Sequence, residues 1–178
     1  IPHNNFELPD LGIYKDENWD KDARAYAAMI SRMDKSIGRI MATLKENGLD
    51  ENTIVFFTSD NGGAEITQNW NFNSNHPLRG VKRDPYEGAI RVPMLVRYPN
   101  KIEARSTNDT PWYFADIMPT LAEISNGTVP ESIDGVSIVP SLFGQKQDLG
   151  ERYMYWEFFE QKGWRVARFG DWKAIQHN

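Results

Sequence analysis

The stretch Thr53-Ile54-Val55-Phe56-Phe57-Thr58 is a continuous run of β-branched and aromatic residues that ends directly in Ser59-Asp60-Asn61-Gly62-Gly63. A strand wetted on one face alternates apolar and polar side chains, whereas an unbroken run suits a strand covered on both faces of a largely parallel sheet. Ligands of such sheets bind beyond the carboxyl ends of the strands, on loops carried by a rigid scaffold. The run therefore predicts an α/β architecture with a functional site near residue 60.

The flanking segments fit that frame. From about Asp20 to Asn47, Tyr26, Met29, Ile30, Met33, Ile37, Ile40, Met41 and Leu44 recur at steps of three and four, the period of an amphipathic helix with one core-facing stripe. Asn18 or Asp20 is placed to cap its start, and Asn47-Gly48 its end. Residues 62–85 form a long polar loop, with Trp70, Phe72 and Leu78 as its expected anchors. A second buried strand is predicted over Val92–Tyr98 and a short helix over Asp116–Ser125, with Pro119 in its first turn and Asn126-Gly127 after it. Beyond Gly144, the aromatic-rich runs starting at Arg152, Trp164 and Trp172, separated by Gly163 and by Gly170-Asp171, read as a small antiparallel meander.

Composition removes several alternatives. With 178 residues and 40% hydrophobic content the chain is long enough to bury a core. The formal charge of −5, with basic residues scattered among acidic ones, provides no general attraction to nucleic acid or anionic membranes, so any anion site is local. Without cysteine there is no disulfide framework, thiolate-zinc site or Cys nucleophile in this stretch. No apolar run approaches the roughly 20 residues that span a bilayer.

Asp60-Asn61 presents a carboxylate and an amide oxygen side by side, donors suited to a hard cation such as Ca²⁺, with Mg²⁺ the alternative. Taken alone, Asp-Asn-Gly-Gly is also an ordinary turn. Lys82 follows in Leu78-Arg79-Gly80-Val81-Lys82-Arg83, where three basic side chains are placed to meet an anion. His3, in Ile1-Pro2-His3-Asn4-Asn5, carries an imidazole suited to protonating a leaving oxygen near neutral pH.

In this order and at these separations the motifs resemble the sulfatase family of the alkaline-phosphatase superfamily, of arylsulfatase and N-acetylgalactosamine-6-sulfatase type. Ser59-Asp60-Asn61-Gly62 resembles the family's strand-end Ser-Asp-Asn-Gly, and Lys82 through Pro93 its Lys-x-x-x-Tyr-Glu-Gly-Gly-x-Arg-x-Pro block, with Ala89 in place of the second Gly. The Pro-His segment at His3, Asp116-Ile117-Met118-Pro119-Thr120 and Asp134-Gly135 are similar again. The resemblance implies the C-terminal part of an alkaline-phosphatase-like sandwich with a mainly parallel sheet over residues 1–145. Over residues 146–178 it implies the start of a C-terminal antiparallel subdomain.

The same resemblance implies that Asp60 and Asn61 bind calcium, that Lys82 and His3 serve catalysis on a sulfate ester, and that the substrate is a sulfated carbohydrate or aryl sulfate, with Trp70, Asn71, Asn73, Asn75 and His76 at the mouth of the pocket and His76 as a substrate contact. It also implies a formylglycine nucleophile, made from Cys or Ser in a Cys/Ser-x-Pro-x-Arg motif that this sequence does not contain. The chain by itself is therefore expected to be inactive, and the complete protein to be periplasmic, secreted or lysosomal. Two alternatives stand beside this reading. One is a phosphatase or phosphodiesterase of the same superfamily, which Asn61 disfavours because dinuclear zinc relatives commonly place His there. The other is a catalytically inactive, glycan-binding sulfatase-like chain.

Overall fold

The fold is that of a computed structural model, which describes residues 6–68, 70, 72–160 and 163–177. In chain order its regular elements are α1 (Lys21–Glu46), β1 (Val55–Thr58), α2 (Glu65–Gln68), α3 (Glu87–Ile90), β2 (Met94–Arg97), α4 (Ile117–Ile124), α5 (Val139–Leu142), β3 (Tyr153–Phe158), β4 (Trp164–Phe169) and β5 (Trp172–His177). They divide between two compact units, one of Ile1–Thr53 with Thr58–Pro93, the other of Ile54–Phe57 with Met94–Asn178.

In the first unit α1 begins where the cap signal places it. The Asp20 carboxylate accepts from Asp22 N at 2.8 Å, satisfying an amide that has no partner within the helix. The helix stops at Asn47, and Gly48 follows with φ +67°, a conformation most residues avoid. Its apolar stripe is fully buried only near the N-terminus and half-buried at Met33, Ile37, Met41 and Leu44. Ala23, Ala25, Ala28 and Met29 are buried, but Ile30 is 40% and Ile40 59% exposed, correcting the expectation that the whole stripe is core. The cover over the first half is aromatic. Trp70 packs edge-on against Phe6 with centroids 5.5 Å apart and lies 5.7 Å from Tyr26, while Phe72 meets Trp19 edge-on at 5.4 Å. Trp70 and Phe72 thus fasten the long loop to α1, contributing edge-to-face attraction beyond simple burial.

In the second unit β1 and β2 form a two-stranded sheet, and β3, β4 and β5 an antiparallel meander in that order. Register follows the alternation of side chains: Met154, Trp164 and Val166 are buried, while Tyr153 pairs across from Phe169 on the exposed face with stacked rings 4.7 Å apart. The expected burial of the first strand on both faces is not observed. Phe57 is 38% and Leu95 64% exposed, because each strand has a single neighbour among the described residues.

The polar centre of this unit is Asp116, fully buried just ahead of α4. Its carboxylate accepts from Tyr113 N at 3.0 Å and Val136 N at 2.9 Å, and receives both ends of the Arg152 guanidinium at 2.7 and 2.8 Å. Thr120 Oγ1 donates to the Asp116 carbonyl at 2.6 Å and accepts from Ile138 N at 3.1 Å. Gly135 sits where a Cβ would lie 1.9 Å from the Ala115 carbonyl oxygen, so only glycine allows this approach. Burial and then the Asp116 carboxylate push the Tyr113 phenol above its ordinary range. At the far end of α4, Asn126 adopts φ +54° and Gly127 N closes on Ala122 O at 2.7 Å, the helix stop predicted from Asn126-Gly127.

Candidate active site

Just beyond the end of β1 the backbone turns, and short hydrogen bonds fix the turn. Thr58 Oγ1 donates to Pro93 O at 2.9 Å, and Ser59 Oγ to the Asn61 carbonyl at 2.8 Å. Asn61 Nδ2 donates to Gly62 O at 2.8 Å. Only the amino end of a carboxamide can donate to a carbonyl, so Asn61 Oδ1 is the atom left over, and it has no partner among the described residues. The exposed Asp60 carboxylate likewise has no hydrogen-bond or ion-pair partner among them.

Lys82 is brought to this turn through the backbone. Lys82 N donates to Gly63 O at 3.0 Å, and Gly62 N to Ala89 O at 2.8 Å, so both the Lys82 turn and α3 are laced to the Asp60 loop. The Val81–Asp84 turn holds itself closed, with Asp84 N donating to Val81 O and Val81 N to Asp84 Oδ2, both at 2.9 Å. Within it Arg83 takes φ +80°, unusual for a residue with a side chain. The half-buried Lys82 ammonium has no side-chain partner among the described residues.

The backbones in this region nearly touch. A Cβ on Gly62 would lie 1.8 Å from Gly88 O, and one on Gly88 2.2 Å from Gly80 O. Ala89, the departure from the family pattern, lies within α3 at ordinary helical φ and only 3% exposed, so its methyl is accommodated.

The remaining candidates separate. His3 lies outside the described residues. The His76 imidazole is exposed and makes no hydrogen bond among the described residues, while its backbone N donates to Asn73 O at 2.9 Å. Asn75, expected at the pocket mouth, is instead 8% exposed and hydrogen-bonded into the interior of the loop. Of the three basic side chains expected to meet an anion, Arg79 is stacked 3.7 Å above the centre of the Tyr86 ring. Sequence reasoning missed Asn75 and Asp116 as organisers, since nothing in a polar loop marks which amide turns inward.

A carboxylate beside an amide oxygen fits a hard cation, and both donors here are without partners among the described residues. Among the described residues no group of three or more His, Cys, Asp or Glu side chains forms a metal cluster, so Asp60 and Asn61 supply only part of a coordination sphere. No helix among the described residues is long and apolar enough to cross a membrane.

Known proteins are similar to this chain in sequence and in fold. The Sulfatase family model matches residues 3–127. Steryl-sulfatase of Rattus norvegicus is 33% identical over 161 residues, which cover 85% of this chain and 28% of that protein. The solved complex of Ps i-CgsB with k-i-k-neocarrahexaose superposes with a TM-score of 0.85 at 28% identity, over 98% of this chain and 39% of that one. A second structure, solved with its substrate D-glucosamine-2-N,6-O-disulfate, has a TM-score of 0.71 at 30% identity, over 85% of this chain and 31% of its own. The chain thus spans between a quarter and two fifths of the length of these relatives. It belongs to the sulfatase family.

Proposed function

We propose that the complete protein hydrolyses a sulfate ester, of a carbohydrate or an aryl alcohol, and that this chain carries the part of its active site formed by Asp60, Asn61 and Lys82. What supports the reading is the placement of three groups without partners among the described residues on turns joined by backbone hydrogen bonds. A carboxylate, an amide oxygen and an ammonium, each without an internal partner among the described residues, stand on backbone joined by the Lys82 N to Gly63 O bond.

In this mechanism Asp60 and Asn61 Oδ1 would hold a calcium ion, with Mg²⁺ the alternative. When bound, that cation draws charge from the sulfate oxygens. The Lys82 ammonium supplies a second positive charge, directed at the sulfate and at the oxygen that leaves with the alcohol. The Val81–Asp84 turn fixes the backbone from which that ammonium reaches. We assign His3 to protonation of the departing oxygen or to the sulfate itself, and His76 to the substrate beyond it. The nucleophile, a formylglycine in this family reading, is supplied from outside the present sequence. The exposed Phe57 and Leu95 are consistent with β1 and β2 belonging to a larger, mainly parallel sheet completed by the rest of the protein. Sulfated carbohydrate as the substrate class is supported by the disulfated glucosamine bound by one of the structural relatives.

The test is hydrolysis by the complete protein of 4-nitrophenyl sulfate against 4-nitrophenyl phosphate, with calcium and after chelation. Calcium-dependent release from the sulfate ester is expected. Preferential phosphate ester hydrolysis would favour the phosphatase alternative, and tight sulfated-glycan binding without turnover the inactive one.

A further inference from the structure

The two halves of the proposed site, the cation-binding turn and the Lys82 turn, are joined by one buried side chain. Asn75 Oδ1 accepts from Gly63 N at 2.8 Å; its Nδ2 donates to Gly63 O at 3.1 Å and to Gly80 O at 2.9 Å. Gly63 lies two residues after Asn61, and Gly80 two residues before Lys82. The Asn75 backbone takes part as well, since its carbonyl accepts from Leu78 N at 2.7 Å. All three polar positions of the carboxamide are therefore used, and all on backbone.

No other side chain of similar size meets this demand. An aspartate would turn two donated bonds into contacts between a carboxylate and carbonyl oxygens. A leucine would bury the Gly63 N–H and the Gly80 carbonyl without partners, which costs more than the bonds themselves contribute. Gly63 matches Asn75 from the other side: a Cβ there would lie 2.8 Å from Asn75 Oδ1.

We infer that Asn75 is a positioning residue that sets the distance between the cation held by Asp60 and Asn61 and the ammonium of Lys82, without touching substrate. This inference rests on the assignment of those three residues to the active site. Groups that orient a metal's ligands from behind typically alter metal affinity or activity by about 10–100-fold when removed.

The experiment uses the complete protein as wild type, Asn75→Ala, Lys82→Ala and the double variant. Calcium affinity is measured by calorimetry with calcium chloride, and kcat and KM with 4-nitrophenyl sulfate. Asn75→Ala is expected to weaken calcium binding by about 10–100-fold and to lower kcat more than it raises KM. In the Lys82→Ala background the same substitution should lower kcat far less, because no ammonium remains to be placed. Unchanged calcium affinity, or an equal fold-loss in both backgrounds, overturns the inference while leaving the site assignment intact. Wild-type turnover by Lys82→Ala overturns the site assignment and the inference with it. Should Asn75→Ala not fold by circular dichroism, Gly63→Ala takes its place, displacing the carboxamide without removing it. A Gly63→Ala protein with wild-type calcium affinity and kcat overturns the inference.

Discussion

The Arg152 guanidinium and the Asp116 carboxylate meet through two parallel hydrogen bonds of 2.7 and 2.8 Å, with Asp116 fully buried and Arg152 spending a further bond of 3.0 Å on Pro111 O. The pair ties the start of β3 to the start of α4 across 36 residues of sequence. Removing one partner strands the other. Arg152→Ala is expected to destabilise by about 3–5 kcal/mol, since it leaves a buried carboxylate without its cation. Arg152→Lys restores the charge but not the planar fork and should recover only part of the loss. Urea denaturation followed by tryptophan fluorescence reads both.

Lys82→Ala in the complete protein should lower kcat on 4-nitrophenyl sulfate by about 10²–10³-fold, the scale of losing one preorganised charge-stabilising group. Folding should be retained, because the turn around Lys82 is held by the backbone and by Asp84 rather than by the ammonium. Near-normal turnover would remove Lys82 from the chemistry.

Asp60→Ala should abolish calcium retention and turnover together. Its carboxylate supports no other contact among the described residues, so little stability should be lost. Elemental analysis after dialysis is the check, and a stoichiometric calcium ion still bound to the variant would contradict the ligand assignment.

On the meander, Arg165 Nε donates to Glu157 Oε1 at 2.6 Å and the Tyr155 hydroxyl to Glu157 Oε2 at 3.0 Å. The Arg165 bond above all holds the Glu157 carboxyl below its ordinary value of 4.5. A carboxylate depressed in the folded state stabilises fully above its unfolded value, and that contribution fades as pH falls through the folded one. Melting temperatures of wild type and Glu157→Gln should therefore run parallel near neutrality and converge below about pH 4.5. Curves that stay parallel into acid would show that the pair contributes nothing.

Much of the fold could be read from periodicity, and the exceptions share a cause. Steps of three and four marked α1, and Asp20 its cap, because both are local properties of the chain. The continuous apolar runs marked β1 and β2, though not their exposure, and the glycine-separated aromatic runs marked β3 to β5. Periodicity identifies a face that needs cover but not what covers it, which is why Ile30 and Ile40 read as core yet lie exposed. In the site, Asp60, Asn61 and Lys82 were legible as residue types in a familiar order. Asn75 was not, since a polar residue in a polar loop carries no sign of facing inward. Nor was the Asp116–Arg152 pair, whose partners are joined only by the tertiary fold.

The peptide at Gly63 is gripped from both sides by Asn75 and again by Lys82, so the chain leaves and returns to the same point. Residues 64–74 are consequently a closed detour whose length is decoupled from the span between Asn61 and Lys82. Changes of length within it leave those two anchor points in place, while any that displace Trp70 or Phe72 also forfeit the aromatic packing on Phe6, Trp19 and Tyr26. The surface this detour presents can therefore vary in part without moving the turns that carry Asp60, Asn61 and Lys82.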